Sequence, residues 1–296
     1  MSAVLSGTTA SRPLIRKTSL RRRLVDNTLW GLAYLALLVI VGPAVWILYG
    51  VVSRALPHWQ WSVLTTTGAA GSGGLENEIL GSLVFLLGVA ILAGGVGVAS
   101  GIYLAEYATG PVGAVLRTGS EVLAGIPSIV IGYVGYLAFV VTFHWGFSLL
   151  AGLITLTLMT VPYTAKATEL ALRQVPRSYR EGADALGMSD SHSLRRIVLR
   201  SGLPGITTGI LVALAISLGE TAPLLYTAGF TQADPTLSLT HQPVAYLTYA
   251  VWTFYNQPSQ KAVDLSFDAA LILIVLLVII LLTARAIVSF TQRNTE

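Results

Sequence analysis

The sequence predicts an all-α membrane protein with six transmembrane helices, and three observations predict it. Of 296 residues, 54% are hydrophobic and only 11% charged, and the mean hydropathy is +0.71, a composition of integral membrane proteins rather than water-soluble globules. Six runs approach the roughly 20 predominantly apolar residues that cross about 30 Å of hydrocarbon. Sorting the 18 Lys and Arg by a six-span topology with both ends in the cytoplasm leaves only Arg54 and Lys261 outside, as the positive-inside rule requires.

Residues 1–27 are rich in Ser, Thr and Arg and read as a cytoplasmic N-terminal tail, its arginines near anionic headgroups. Arg12, Arg16, Lys17, Arg21, Arg22 and Arg23 immediately precede the first span, Thr28 to Val52. That span is too long for a signal-peptide core and lacks a small-residue cleavage site, so it is expected to be retained. TTTGAAGSGG at 65–74 reads as a flexible external linker. The second span, Ile79 to Leu104, carries Gly97-x-x-x-Gly101, a spacing that brings helices close together.

The third span, Val122 to Phe143, contains Pro127, which predicts a kink with the Ser128 hydroxyl beside it. Arg117 and Glu121, four residues apart near the cytoplasmic entrance, are expected to pair. The fourth span is Phe147 to Pro162 and the fifth Leu203 to Leu225. Between Gln232 and Asp268 lies the longest external loop, where YLTYAVWTFYNQP (246–258) suits an interfacial helix or lid. The sixth span is Ala269 to Ile287. The chain thus divides into the tail at 1–27, the first helix and external linker at 28–74, and a transmembrane domain at 75–292.

Several function classes fall away. Cysteine is absent, which excludes disulfides, thiolate metal sites and cysteine nucleophiles. His58, His144, His192 and His241 show no ligand spacing, so no metal is assigned. No GxxxxGK[ST] loop occurs, and the chain is not expected to hydrolyse ATP itself or to hold a cofactor of its own. Positive charge on cytoplasmic loops accounts for the basic balance without nucleic acid; the expected surroundings are membrane lipid.

One stretch is out of keeping with so oily a chain: EGADALGMSDSHSLRRIVLRSGLPG, residues 181–205. From Val175, VPRSYREGADALG predicts a short helix with Pro176 in its first turn and Gly187 as its stop. HSLRRIVLRSGLPG then begins a second helix, with Ile197, Val198 and Leu199 toward an apolar face and Arg195, Arg196 and Arg200 toward water. Together they form a charged helix-turn-helix on the cytoplasmic surface.

This stretch resembles the EAA loop of ABC importer permeases, whose pattern is E-A-A, three residues, G, nine residues, I-x-L-P. Glu181, Ala183, Gly187, Ile197 and Leu199 stand in register; Gly182 replaces the first alanine and Arg200 the proline. AGIPSIVIGYVGY (124–136), GIYLAEYATG (101–110) and ISLGETAPLLYTAG (216–229) are similar to segments of the phosphate permeases of the PstA type, over most of the chain from about Glu78. The resemblance implies a type I ABC importer (MetI-like) permease fold, in which the EAA loop at 175–205 is a coupling helix seated on a cytoplasmic ATPase. It further implies a partner permease resembling PstC, an ATPase resembling PstB that binds ATP and Mg, a phosphate-binding protein resembling PstS, and the bacterial plasma membrane.

Glu220 is expected well inside the fifth span, where an acid costs about 2.5–3.5 kcal/mol on insertion scales and marks a functional site by default. With Ser217, Thr221 and Ser128 it is a candidate for the translocation pathway. The family often carries arginine four residues before this glutamate, and here the position is Ile216. Two alternatives stay open: a permease for another oxyanion such as molybdate or sulfate, and a gradient-driven secondary transporter, although the latter should carry more intramembrane acids than Glu220.

Overall fold

A computed structural model describes residues 20–68, 73–236 and 238–293. Most of the tail expected at 1–27, and residues 69–72 of the expected linker, lie outside the described residues. The described residues are helical and contain no strand. Two units divide at Gly50 and Val51. The helix α1 (Leu20–Ala55) lies in the first as far as Gly50 and exposes every side chain from Leu24 to Tyr49, the surface of a helix whose solvent is lipid or another protein chain.

The second unit holds α2 (Glu76–Glu106), α3 (Gly110–Gly125), α4 (Ser128–Gly135), α5 (Leu149–Arg173), α6 (Arg177–Ala185), α7 (Asp190–Ser193), α8 (Leu199–Leu218), α9 (Ala222–Thr227), α10 (Leu247–Tyr255) and α11 (Gln260–Arg293). Counting α1, five helical stretches among the described residues are long and apolar enough to cross a membrane, and six if α3 and α4 with its π-helical extension, bent by 95° at their break, count as one. Pro127 causes that break: it lacks an amide proton and disfavours helical geometry at Ile126 before it, which is extended at ψ 130°. The third span is therefore two helices at nearly a right angle, not one kinked helix.

The core is built on α2 and α5, and glycine permits it. A Cβ on Gly97 would lie 2.6 Å from Thr164 Cβ, and one on Gly101 would lie 2.5 Å from both the Ala165 carbonyl oxygen and Thr168 Cβ. The backbones can approach this closely only because no side chain intervenes. Gly101→Ala should therefore cost about 1–3 kcal/mol through overpacking against backbone. Gly94→Ala meets nothing within 4 Å and should be neutral or stabilising. Thermal unfolding of the two variants in detergent checks this; equal melting temperatures would contradict the close packing.

Farther along, Phe85 and Val89 of α2 join Leu149, Leu153 and Leu156 of α5, Leu224 of α9 and Tyr246 in one buried cluster. A second cluster gathers Leu247, Ala250 and Phe254 of α10 with Ala269 and Ile272 of α11. The aromatic segment expected to lie at the interface is thus packed inward, although Trp252 and Tyr255 stay exposed. The described flanks of the linker are also tied down: the Leu75 amide donates to Val63 O at 2.8 Å and the Gly68 amide to Asn77 Oδ1 at 2.9 Å.

Two further expectations change. α5 extends past the buried Pro162 to Arg173, one of whose ends carries the charges described below. The helix expected to lie on the membrane surface after Gly187 instead runs through a π-helical stretch, Leu194–Val198, straight into α8. Asp190 to Leu218 is one apolar element of 29 residues.

Candidate functional site: an exposed polar helix and paired helix breaks

The polar island folds as α6, a turn, and α7. Pro176 caps α6 from outside its first turn, and the helix stops where Gly187 adopts φ +70°, a left-handed conformation that glycine enters without steric cost. The Met188 amide donates to Ala183 O at 3.1 Å and closes the turn. Glu181 and Gly182 are exposed and Ala183 is buried. A Cβ at Gly182 would meet nothing within 4 Å, so the departure from alanine there has no steric cause. Val198 is fully buried, Ile197 and Leu199 are half-buried, and Arg195, Arg196 and Arg200 are exposed. Beside α6 opens a cleft of about 530 Å³, lined among others by Pro176, Tyr179, Arg196, Ile197 and Arg200.

Two arginines bind the same end of α2. Arg180 donates Nη1 to Glu106 Oε2 at 2.5 Å and Nη2 to Glu106 Oε1 at 2.8 Å, a bidentate fork. Hydrogen bonding to the Glu106 carboxylate pushes the Arg180 guanidinium further up, holding it charged. Arg117 of α3 donates Nη2 to the carbonyls of Leu104 at 2.6 Å and Ala108 at 2.9 Å, and Nε to Glu169 of α5 at 2.7 Å. Arg173 reaches the same Glu169 oxygen at 2.8 Å. The expected Arg117 and Glu121 pair is absent; Glu121 instead accepts from Lys166 at 2.8 Å. Local spacing favoured the i,i+4 partner, but packing of α3 on α5 puts Glu169 and Lys166 closer. These pairs span 52 to 74 residues of sequence in the case of Glu169 and Glu106, which local spacing does not reveal.

The second part of the site is a pair of helix breaks. Glu220 does not lie within a continuous helix: α8 ends at Leu218, and α9 starts at Ala222 with Pro223 in its first turn. The Gly219 amide closes α8 onto Ile216 O at 3.1 Å. Glycine followed three residues later by Ala-Pro ends one helix and starts the next, because proline cannot supply the amide that continuation needs. The Glu220 carbonyl accepts from Thr248 Oγ1 at 3.3 Å.

α4 and α9 run side by side in the same direction. A Cβ on Gly132 would lie 2.8 Å from Pro223 Cα, and one on Gly135 would lie 3.1 Å from Thr227 Cγ2. Both helices therefore begin at the same end, α4 after Pro127 and α9 after Thr221. Ser128, Glu220 and Thr221 are all half-buried there. Tyr133 of α4 meets Tyr226 of α9 edge to face, with ring centroids 6.2 Å apart. Ser217 is placed differently: it is 5% exposed and lines a small cavity of about 10 Å³ with Ser82, Tyr246 and Thr248, room for about one water. Ile216, at 41% exposed, occupies the neighbouring open face.

Among the described residues no cluster of three or more His, Cys, Asp or Glu side chains has metal-binding geometry. The arrangement instead offers a short exposed helix anchored to α2 and a discontinuity in two adjacent helices; irregular backbone of this kind is tolerated at membrane depth where it is buried in protein or lines a cavity.

Comparison with known proteins agrees with this geometry. Residues 97–293 match the family described as binding-protein-dependent transport system inner membrane component. The chain is 54% identical over 97% of its length, and 95% of theirs, to phosphate transport system permease protein PstA 2 of Mycobacterium bovis and of Mycobacterium tuberculosis. It is 34% identical to PstA of Xylella fastidiosa over 94% of this chain and 96% of that one. In fold it is similar to an inward-facing MetNI methionine ABC transporter chain, with a TM-score of 0.57 at 18% identity over 73% of this chain and 96% of that one. The chain is a multi-pass membrane protein that belongs to the binding-protein-dependent transport inner membrane component family and, within it, to the PstA group of ABC importer permeases.

Proposed function

We propose that this chain is one of two permease subunits of an ATP-driven importer of inorganic phosphate. The 54% identity over 97% of the chain with proteins named as PstA phosphate permeases carries the choice of cargo. The chain itself forms no covalent bond. A partner permease resembling PstC completes the pathway, a binding protein resembling PstS delivers phosphate outside, and an ATPase resembling PstB binds ATP and Mg in the cytoplasm. The basic cluster at residues 12–23, ahead of the first apolar run, favours cytoplasmic N- and C-termini.

In this mechanism α6 seats on the ATPase through Glu181, Gly182 and the turn at Gly187, with Ile197 and Leu199 supporting it from the helix beyond. Closure of the ATPase shifts α6, and the helices bound to it rock. Ser128, Glu220 and Thr221, at the paired breaks, line the path; Ser217 supports the break from behind. Phosphate is an anion, so Glu220 acts by accepting a hydrogen bond from the protonated ion or by fixing a cationic group of the partner permease. With Ile216 at the neighbouring position, positive charge for the phosphate comes from that partner, or the pathway relies on hydroxyl and amide donors.

The test is labelled phosphate uptake into proteoliposomes holding the complete complex, with and without ATP, challenged by sulfate and molybdate. ATP-dependent uptake suppressed by unlabelled phosphate alone is expected. ATP-driven uptake of sulfate or molybdate in preference would overturn the cargo assignment.

A further inference from the structure

We infer that Arg180 and Glu106 form the strut through which motion of the coupling helix reaches the translocation pathway, with α2 as the lever. The inference rests on the reading of the chain as a coupled permease and names the load path within it.

Four observations carry it. First, the fork between Arg180 and Glu106 is the one ion pair that α6 makes among the described residues. Arg180 directly precedes Glu181 in α6, and Glu106 is the last residue of α2. Second, a bidentate fork resists rotation as well as separation, which a single hydrogen bond does not. Third, α2 is an unbroken helix of 31 residues, about 46 Å long at 1.5 Å per residue, and contains no proline. Glycine contacts with α5 at Gly97 and Gly101 leave no compressible side-chain layer along it. Fourth, its far half reaches the break: Phe85 packs with Leu224 of α9 and Tyr246, and Ser82 Oγ accepts from the Leu247 amide at 2.9 Å. A displacement applied at Glu106 is therefore delivered beside Glu220 rather than absorbed on the way. Arg180 and Glu106 are positioning residues; they touch neither cargo nor nucleotide.

The experiment uses the complete complex in proteoliposomes and reads phosphate imported per ATP hydrolysed. Glu106→Gln and Arg180→Gln should each lower that ratio about tenfold with the ATPase still copurifying, and the exchange Glu106→Arg with Arg180→Glu should restore at least half of it. Glu121→Gln breaks an exposed ion pair off the load path and should leave the ratio unchanged. Single variants with the normal ratio, or an exchange as poor as the singles, would overturn the strut. Loss of the ATPase from the singles would also overturn it, assigning the pair to docking.

A second readout is independent of cargo. The chain has no native cysteine, so spin labels can be attached to Cys introduced at Ser178 in α6 and Val96 in α2. Their separation should stay constant on nucleotide addition in the otherwise wild-type complex and change in Glu106→Gln; a nucleotide-dependent change with the fork intact would overturn the strut. Should the wild-type complex import no phosphate, the cargo assignment falls while this distance still decides the strut.

Discussion

Glu181→Lys is expected to lower ATP-driven uptake by about two to three orders of magnitude while the chain still inserts and assembles its own helices. Glu181 is exposed and joins no ion pair among the described residues, so reversing its charge removes no internal contact and the fold should tolerate it. The effect falls on whatever α6 seats against. Truncating one partner of a buried, hydrogen-bonded interfacial charge pair costs about 2–5 kcal/mol, and a like charge in its place is worse, so uptake should fall by two to three orders of magnitude. Membrane content of the chain, read by immunoblot, should stay within twofold of wild type. ATP-driven uptake at the wild-type rate would remove Glu181 from the contact with the ATPase. Disappearance of the chain from the membrane would instead give Glu181 a role in folding that its exposure denies.

The value of that variant depends on a distinction the sequence only partly makes. The polar helix α6 and its turn were legible because their signals are local. A charged run between apolar ones, proline at the start and glycine at a left-handed stop specify a helix and a turn within a dozen residues. The anchors of that element were not legible. Glu106 sits in GIYLAEYATG as one acid at the end of an apolar run, and only packing discloses that Arg180 reaches it from 74 residues away. Arg117 shows the same limit in reverse, since helical spacing offered Glu121 and the fold delivered Glu169.

The spans divide along the same line. Hydropathy found all of the apolar runs but joined pieces that backbone chemistry separates. Pro127 turns the third span through nearly a right angle, and Gly219 with Pro223 interrupts the fifth. Both breaks are encoded by residues whose helix-breaking character is plain from sequence; what sequence does not give is that they lie side by side. Gly132 against Pro223 is a contact across 91 positions in the chain, made possible by a missing side chain.

That juxtaposition sets the expected result for Glu220→Gln. In a continuous helix the carboxylate would be one of several polar groups on a packed face, and its amide isostere would cost little. At a break, backbone carbonyl and amide groups at the neighbouring helix ends are freed for cargo or partner, and Glu220 is the one ionisable side chain between α8 and α9. Glutamine keeps its size but loses the charge that accepts from a protonated phosphate or holds a partner cation. Hydrogen bonds to charged groups are worth about 1.5–3 kcal/mol, so uptake should fall by about one to two orders of magnitude with ATP hydrolysis still running. The chain should fold normally, because Glu220 is only half-buried and no side-chain hydrogen bond of its own is lost. Glu220→Asp keeps the charge on a shorter arm and should retain more uptake than glutamine, which separates charge from shape. If the glutamine variant imported phosphate at the wild-type rate and with the same indifference to sulfate, Glu220 would be a polar filler at the helix break. The cargo would then be held by Ser128, Thr221 and the freed backbone groups alone.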